Sequence, residues 1–165
     1  MKRNLFLICI FFATLSLSAQ TAAELDTLLE TENVSIATAA RFTMGSVGLL
    51  PAELSGAAAE ASAYEEALSR GWVRRGPDDA ISLQNTAFLI MNAFELRGGI
   101  MYSLFHNPRY AYREMLYRKL IQGRANSSMK VPGRRFLQIL GRALNYAGER
   151  EEMDALLLNL RGGLN

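Results

Sequence analysis

The stretch Ile81–Leu96 (ISLQNTAFLIMNAFEL) recurs in weaker form from Val34 (VSIATAARFTMGSVGLL) and from Val131 (VPGRRFLQILGRALNY). The steps are 47 residues from Val34 to Ile81 and 50 from Ile81 to Val131, the length of helical repeat units. Each copy opens on a β-branched apolar residue, Val34, Ile81 or Val131. Ser35 and Ser82 follow in the first two and suit the free N–H groups of a helix start. An apolar stripe at helical spacing comes next: Ala40, Thr43, Met44, Val47, then Ala87, Ile90, Met91, Phe94, then Leu137, Leu140, Gly141, Leu144. Such stripes on otherwise apolar helices predict burial between neighbours. The small residues Ala40, Ala87 and Gly141 are expected where helices approach closely. Any three amphipathic helices share some of this pattern, but the likeness extends upstream. Tyr64, Glu66, Leu68, Arg70 and Trp72-Val73 match Tyr112, Glu114, Leu116, Arg118 and Leu120-Ile121 at an offset of 48. The two-residue difference between 48 and 50 falls in a polar loop, where insertions are tolerated.

The expected fold is therefore all-α, a compact bundle of three helix–loop–helix repeats over about residues 23–50, 52–98 and 108–148, with a further C-terminal helix at 149–161. Gly98-Gly99 is expected to close the middle helix, Ile81–Leu96. Ala52–Ser69 reads as an alanine-rich helix after Pro51. Gly76-Pro77-Asp78-Asp79 reads as a turn and GRANSSMK, Gly123–Lys130, as the longest polar loop. Ile100–Phe105 reads as a short apolar turn of helix before Asn107-Pro108. No stretch alternates as a strand would.

At the start, Lys2-Arg3, the apolar run Leu5–Leu17 and the small residues Ser16–Ala19 form a secretory signal, residues 1–19, ahead of a single domain at 20–165. A retained anchor is the alternative, but the run is short for a membrane span. Without it no transmembrane segment remains. Cys9, the only cysteine, lies inside the run, so the mature chain needs no disulfide in an oxidising compartment. The expected location is the periplasm or cell envelope, which makes nucleic acid an improbable partner.

Charge is balanced in number and lopsided in place. The chain has 18 Lys and Arg against 16 Asp and Glu, and loss of Lys2 and Arg3 makes them equal. From Gln20 to Glu66 the acids face one base, Arg41. From Ala67 to Ala147 the acids are only Asp78, Asp79, Glu95 and Glu114, amid many arginines. This polarity predicts an anionic partner for the second segment, or pairing between the two segments.

The loop Gly71-Trp72-Val73-Arg74-Arg75-Gly76, the openings Ile81-Ser82 and Val131-Pro132, and the helix body Phe136–Leu144 together resemble the S-layer homology (SLH) module. The likeness covers most of residues 23–148. It implies a pseudo-threefold helical bundle tethering an envelope protein to cell-wall polymer. The chain departs from the family at the ligand-contacting Arg and Glu, where Ile36 and Thr38, Leu83 and Asn85, and Gly133 and Arg135 stand.

No catalytic set stands out. Hydrolysis needs a nucleophile with a base, or paired carboxylates. His106, the only histidine, precedes a Pro turn and reads as a cap or surface group. Asp78-Asp79 is a poor calcium cage, and zinc lacks ligands. No metal, no cofactor and no enzymatic activity are expected. The candidate ligand residues are Trp72, Arg74, Arg75, Arg118, Arg134 and Arg135. An indole stacks on sugar rings and guanidinium groups grip carboxylate or phosphate; Trp72 also reads as core, because Leu120 is its repeat partner. Arg134 and Arg135 begin a helix, where positive charge is unfavourable unless compensated. The expected function is non-enzymatic binding of cell-wall glycan. The alternative is an adaptor for an envelope protein with an acidic surface.

Overall fold

A computed structural model describes residues 22–51, 53–124 and 126–162, with side chains to residue 155. The expected secretory signal, residues 1–19, lies outside the described residues. Among the described residues seven helices follow in order: α1 over 22–30, α2 Ile36–Ser46, α3 Gly56–Ser69, α4 Leu83–Ala93, α5 Ile100–Phe105, α6 Pro108–Tyr117 and α7 Gly133–Gly162. The fold is all-α. Among the described residues the only strand-like pairings are isolated bridges, Ser35 with Ala80 and Ser82 with Lys130.

Those bridges mark the centre of the molecule. The backbone N–H of Val34 donates to the Val131 carbonyl (2.9 Å), that of Ile81 to Val34 (2.8 Å) and that of Val131 to Ile81 (3.3 Å). The three repeat-opening residues thus form a cyclic set of hydrogen bonds, and none of them is exposed. Two residues on, the first N–H of each inner helix is satisfied by a neighbouring unit. Ile36 donates to Asp79, Leu83 to Met129 and Gly133 to Thr31, each at 2.9 Å. Helix starts leave N–H groups without internal partners; here the carbonyls ahead of one unit's opening residue cap another unit's helix. Ser35 and Ser82 add side-chain caps, accepting from Thr38 N (3.1 Å) and Asn85 N (3.4 Å).

The packing is cyclic in the same sense. α2, α4 and α7 pack on one another at the centre, while α3 packs on α2 and α6 on α4. The first helix of a unit therefore lies against the second helix of the preceding unit. α1 closes the circuit against α7: a Cβ built on Gly133 would stand 1.6 Å from the Leu28 carbonyl oxygen. The described core joins all three units through Ile36, Met44, Leu83, Ile90, Met91, Phe136 and Ile139.

Helix ends repeat as closely as helix starts. Leu49 N bonds Met44 O and Leu96 N bonds Met91 O, 47 residues on, both at 2.9 Å. Trp72 N bonds Ala67 O and Leu120 N bonds Met115 O, 48 residues on, also at 2.9 Å. All four are Schellman closures, which require a left-handed residue. Gly48 (φ 69°) and Gly71 (φ 72°) serve in two, Glu95 (φ 49°) and Lys119 (φ 58°) in the others. The middle helix thus runs Leu83–Ala93 and is closed by Glu95, not by Gly98-Gly99 as the glycines suggest; the repeat's register overrides the local preference. A side chain in this conformation costs about 1–2 kcal/mol, partly offset by glycine's greater freedom when unfolded. Lys119→Gly is expected to raise stability by about 0.5–1 kcal/mol, read as a higher urea midpoint at unchanged slope.

Other differences are local. α3 begins at Gly56 rather than Ala52, with Ser55 at its N-cap. α7 runs unbroken for 30 residues, so the expected C-terminal helix is its continuation. At 1.5 Å per residue it spans about 45 Å, and residues 151–155 are all exposed. Gly141 is not a point of close approach, since a Cβ there would meet nothing within 4 Å. No helix among the described residues is long and apolar enough to cross a membrane.

Candidate binding surface

The charge polarity is not cancelled inside the molecule. The described ion pairs are Arg41–Glu24, Arg70–Glu66 (2.7 Å) and Arg118–Glu114 (2.8 Å). Only Glu66–Arg70 crosses from the acidic to the basic segment, and it spans one turn of α3. Pairing between the segments, one of the two expectations, is not what the fold uses. Arg74, Arg75, Arg97, Arg109, Arg113, Arg124, Lys130 and Arg134 all lie exposed.

The six candidate ligand residues fall at three separate places. Trp72, Arg74 and Arg75 occupy the connection from α3 to α4. Gly71 turns the chain, and Trp72 is half-buried on the core, with the Arg70 guanidinium 4.9 Å above its ring. The Tyr64 hydroxyl donates to the Arg75 carbonyl (3.1 Å), and Gly76 N donates to Asp79 Oδ2 (3.1 Å). These bonds fix the loop backbone while Arg74 and Arg75 reach into solvent. Trp72 thus packs partly on the core, as its repeat partner Leu120 suggests, and Arg70 covers its ring.

Arg118 has a different place from the one expected. Its Nε donates to Glu114 Oε1 (2.8 Å), Nη1 to the Tyr146 hydroxyl (2.8 Å) and Nη2 to the Arg97 carbonyl, with the guanidinium 5.0 Å over the Tyr146 ring. It clamps α6, α7 and the chain after α4 together, with each of its three nitrogens engaged. Arg135 is also engaged: Nη2 donates to the carbonyls of Gln122 (3.1 Å) and Arg124 (2.7 Å), and Nη1 to the Met129 sulfur (3.0 Å). The compensation expected for positive charge at this helix start comes from the protein's own loop. Arg134, one residue earlier, is exposed. Arg74, Arg75 and Arg134 are therefore the candidates left facing solvent.

His106 sits at φ 38° with Nε2 2.9 Å from Asn92 Oδ1 and its ring against Phe88 and Tyr102. Its hydrogen bond holds the connection after α5 to α4, a positioning contact rather than a base–nucleophile pair. Beside it the Tyr102 hydroxyl is buried without a partner, and desolvation pushes its pKa up to about 12. No cluster of three metal-ligating side chains occurs among the described residues.

Two surface features escaped the sequence. A groove of about 650 Å³ runs between α1–α2 and α7, lined by Phe42, Leu50, Leu54, Leu137, Leu140 and Leu144. Its signal was present only as the outward part of the stripe, Leu137 and Leu144. The other is α5, where Ile100, Met101, Leu104 and Phe105 stand in solvent; its largely apolar composition was visible, but not which way it faces. Comparisons with protein-family models, with curated proteins and with solved structures returned no match.

Proposed function

We propose that this chain is an exported, non-enzymatic binding module of the bacterial cell envelope, a divergent relative of SLH modules that holds anionic cell-wall glycan. The observation that carries the reading is the basic surface of the second segment, which the acidic segment leaves unneutralised. The contacts fall to Arg74 and Arg75, with the half-buried Trp72 close by in the same loop, and separately to Arg134, because Arg118 and Arg135 are engaged within the fold. Three units closed on one centre support the SLH comparison. Exposed guanidinium groups bind carboxylate or phosphate in bidentate fashion, weakly singly and more strongly together.

The test is sedimentation with purified peptidoglycan. Replacing Arg74, Arg75 and Arg134 by Gln is expected to weaken retention about tenfold or more, with added salt acting in the same direction. No retention at low salt, or retention indifferent to the three substitutions, overturns the reading. The apolar groove between α1–α2 and α7 favours the second reading, an adaptor that receives a helix of an envelope protein. A stoichiometric protein cross-linked at Leu144, without glycan, decides for it.

A further inference from the structure

We propose that α5 is a membrane-docking knob that seats on an anionic lipid bilayer. Ile100 is 84 % exposed, Leu104 71 %, Met101 57 % and Phe105 52 %. Contiguous exposed apolar side chains mark interaction sites. The helix lies in the connection between α4 and α6, and α6 is its principal packing partner. It is nonetheless held firmly. Gly99 N donates to Glu114 Oε2 (3.1 Å) at one end, and at the other Phe105 stacks on Tyr110 with ring centres 5.2 Å apart. Tyr102 points inward and is buried against the His106 ring. The fold therefore presents the apolar side chains outward on a fixed support.

What surrounds the knob selects the occupant. Arg113 lines the cleft with Ile100 and Met101, and Arg109 stands next to Tyr110, which Phe105 covers. Arg97, ahead of the helix, lies instead in a separate cleft with Glu95, Glu151 and Asp154. Neither Arg109 nor Arg113 is in an ion pair among the described residues. Glu114, the only acid between Leu96 and Ala147, is bound to Arg118. Apolar side chains inside a basic rim match the acyl boundary and headgroups of an anionic bilayer. A glycan offers no apolar phase for the aliphatic groups. A single short helix is far below spanning length, so the contact is interfacial.

The experiment uses the chain recovered from the periplasm of an expressing host, its N-terminus read by mass so that a retained leader is recognised. Sedimentation is measured with phosphatidylglycerol–phosphatidylcholine vesicles and with phosphatidylcholine alone. Binding is expected on the anionic vesicles, at least tenfold weaker on the neutral ones, and weakened by salt. The pair Ile100→Ser and Leu104→Ser is expected to lose at least tenfold, with an unchanged melting temperature because both sites are exposed. Arg109→Gln with Arg113→Gln is expected to lose about tenfold or more on anionic vesicles, each base contributing roughly fivefold. A fluorophore on Leu104→Cys shifts to the blue on docking. Vesicle binding unaffected by the serine pair, or no binding by the wild type, overturns the proposal. In the second case, an envelope protein that co-purifies with the wild type and is lost with the serine pair identifies a protein as the occupant. Arg74, Arg75 and Arg134 are not part of this knob, so the peptidoglycan result and the vesicle result are read separately.

Discussion

Gly133→Ala is expected to cost about 3 kcal/mol or more and to free α1 from the bundle. The added Cβ would lie 1.6 Å from the Leu28 carbonyl oxygen and 2.7 Å from its carbonyl carbon. Both are backbone atoms, so no side chain can rotate aside. The equivalent positions in the other units hold Ile36 and Leu83, both buried without conflict. The difference is loop length. Ten or more residues precede the opening residue of the second and third units after their first helices, but only residues 31–33 separate α1 from Val34. The end of α1 is therefore drawn tightly across the start of α7, where only hydrogen fits. This junction is the one at which the circuit is closed without a covalent connection. The substitution should raise hydrogen exchange across residues 22–31 before any other segment, and lower the melting temperature by several degrees. A melting temperature within a degree of wild type would show that α1 does not seal against α7 as described.

Phe136→Ala is expected to cost about 3–5 kcal/mol, a large part of the stability of an ordinary domain. Phe136 is among the largest fully buried side chains, and its register equivalents, Ala39 and Thr86, are also 0 % exposed. Exact threefold symmetry would place the same volume at each. Here one unit supplies the bulk and the others remain small, and neither neighbour can expand to refill the space. Phe136→Leu should cost much less, since it removes less volume. Urea denaturation of both variants checks this; an alanine variant within 1 kcal/mol of wild type would mean that the core collapses around the vacancy.

The architecture was legible because its signals were redundant. Val34, Ile81 and Val131 stand at the same register, and the structure places them in one hydrogen-bonded set. The Tyr64–Val73 and Tyr112–Ile121 likeness likewise corresponds to two helices with the same closure. The middle helix end was misplaced because Gly98-Gly99 is a strong local signal, whereas Glu95 adopts the left-handed conformation under tertiary constraint. The run through Gly148 was missed for the converse reason: one glycine costs a helix only about 1 kcal/mol, too little to break a long one. Side-chain commitments were illegible altogether. Arg118 and Arg135 differ from Arg74 and Arg134 in having carbonyls, a carboxylate or a hydroxyl within reach, and those partners lie from 4 to 28 residues away.

The cyclic set formed by Val34, Ile81 and Val131 also fixes how many units this one ring can hold. A linear solenoid can gain or lose a unit at either end, because each unit needs only its neighbours. Here every donor of the set is already matched to an acceptor, so a fourth copy would find no seat. Loss of one copy would strand the helix start that it served. A further copy inside this ring would break the set, which leaves the loops and the connection that carries α5 as the places where a new surface costs the fold least.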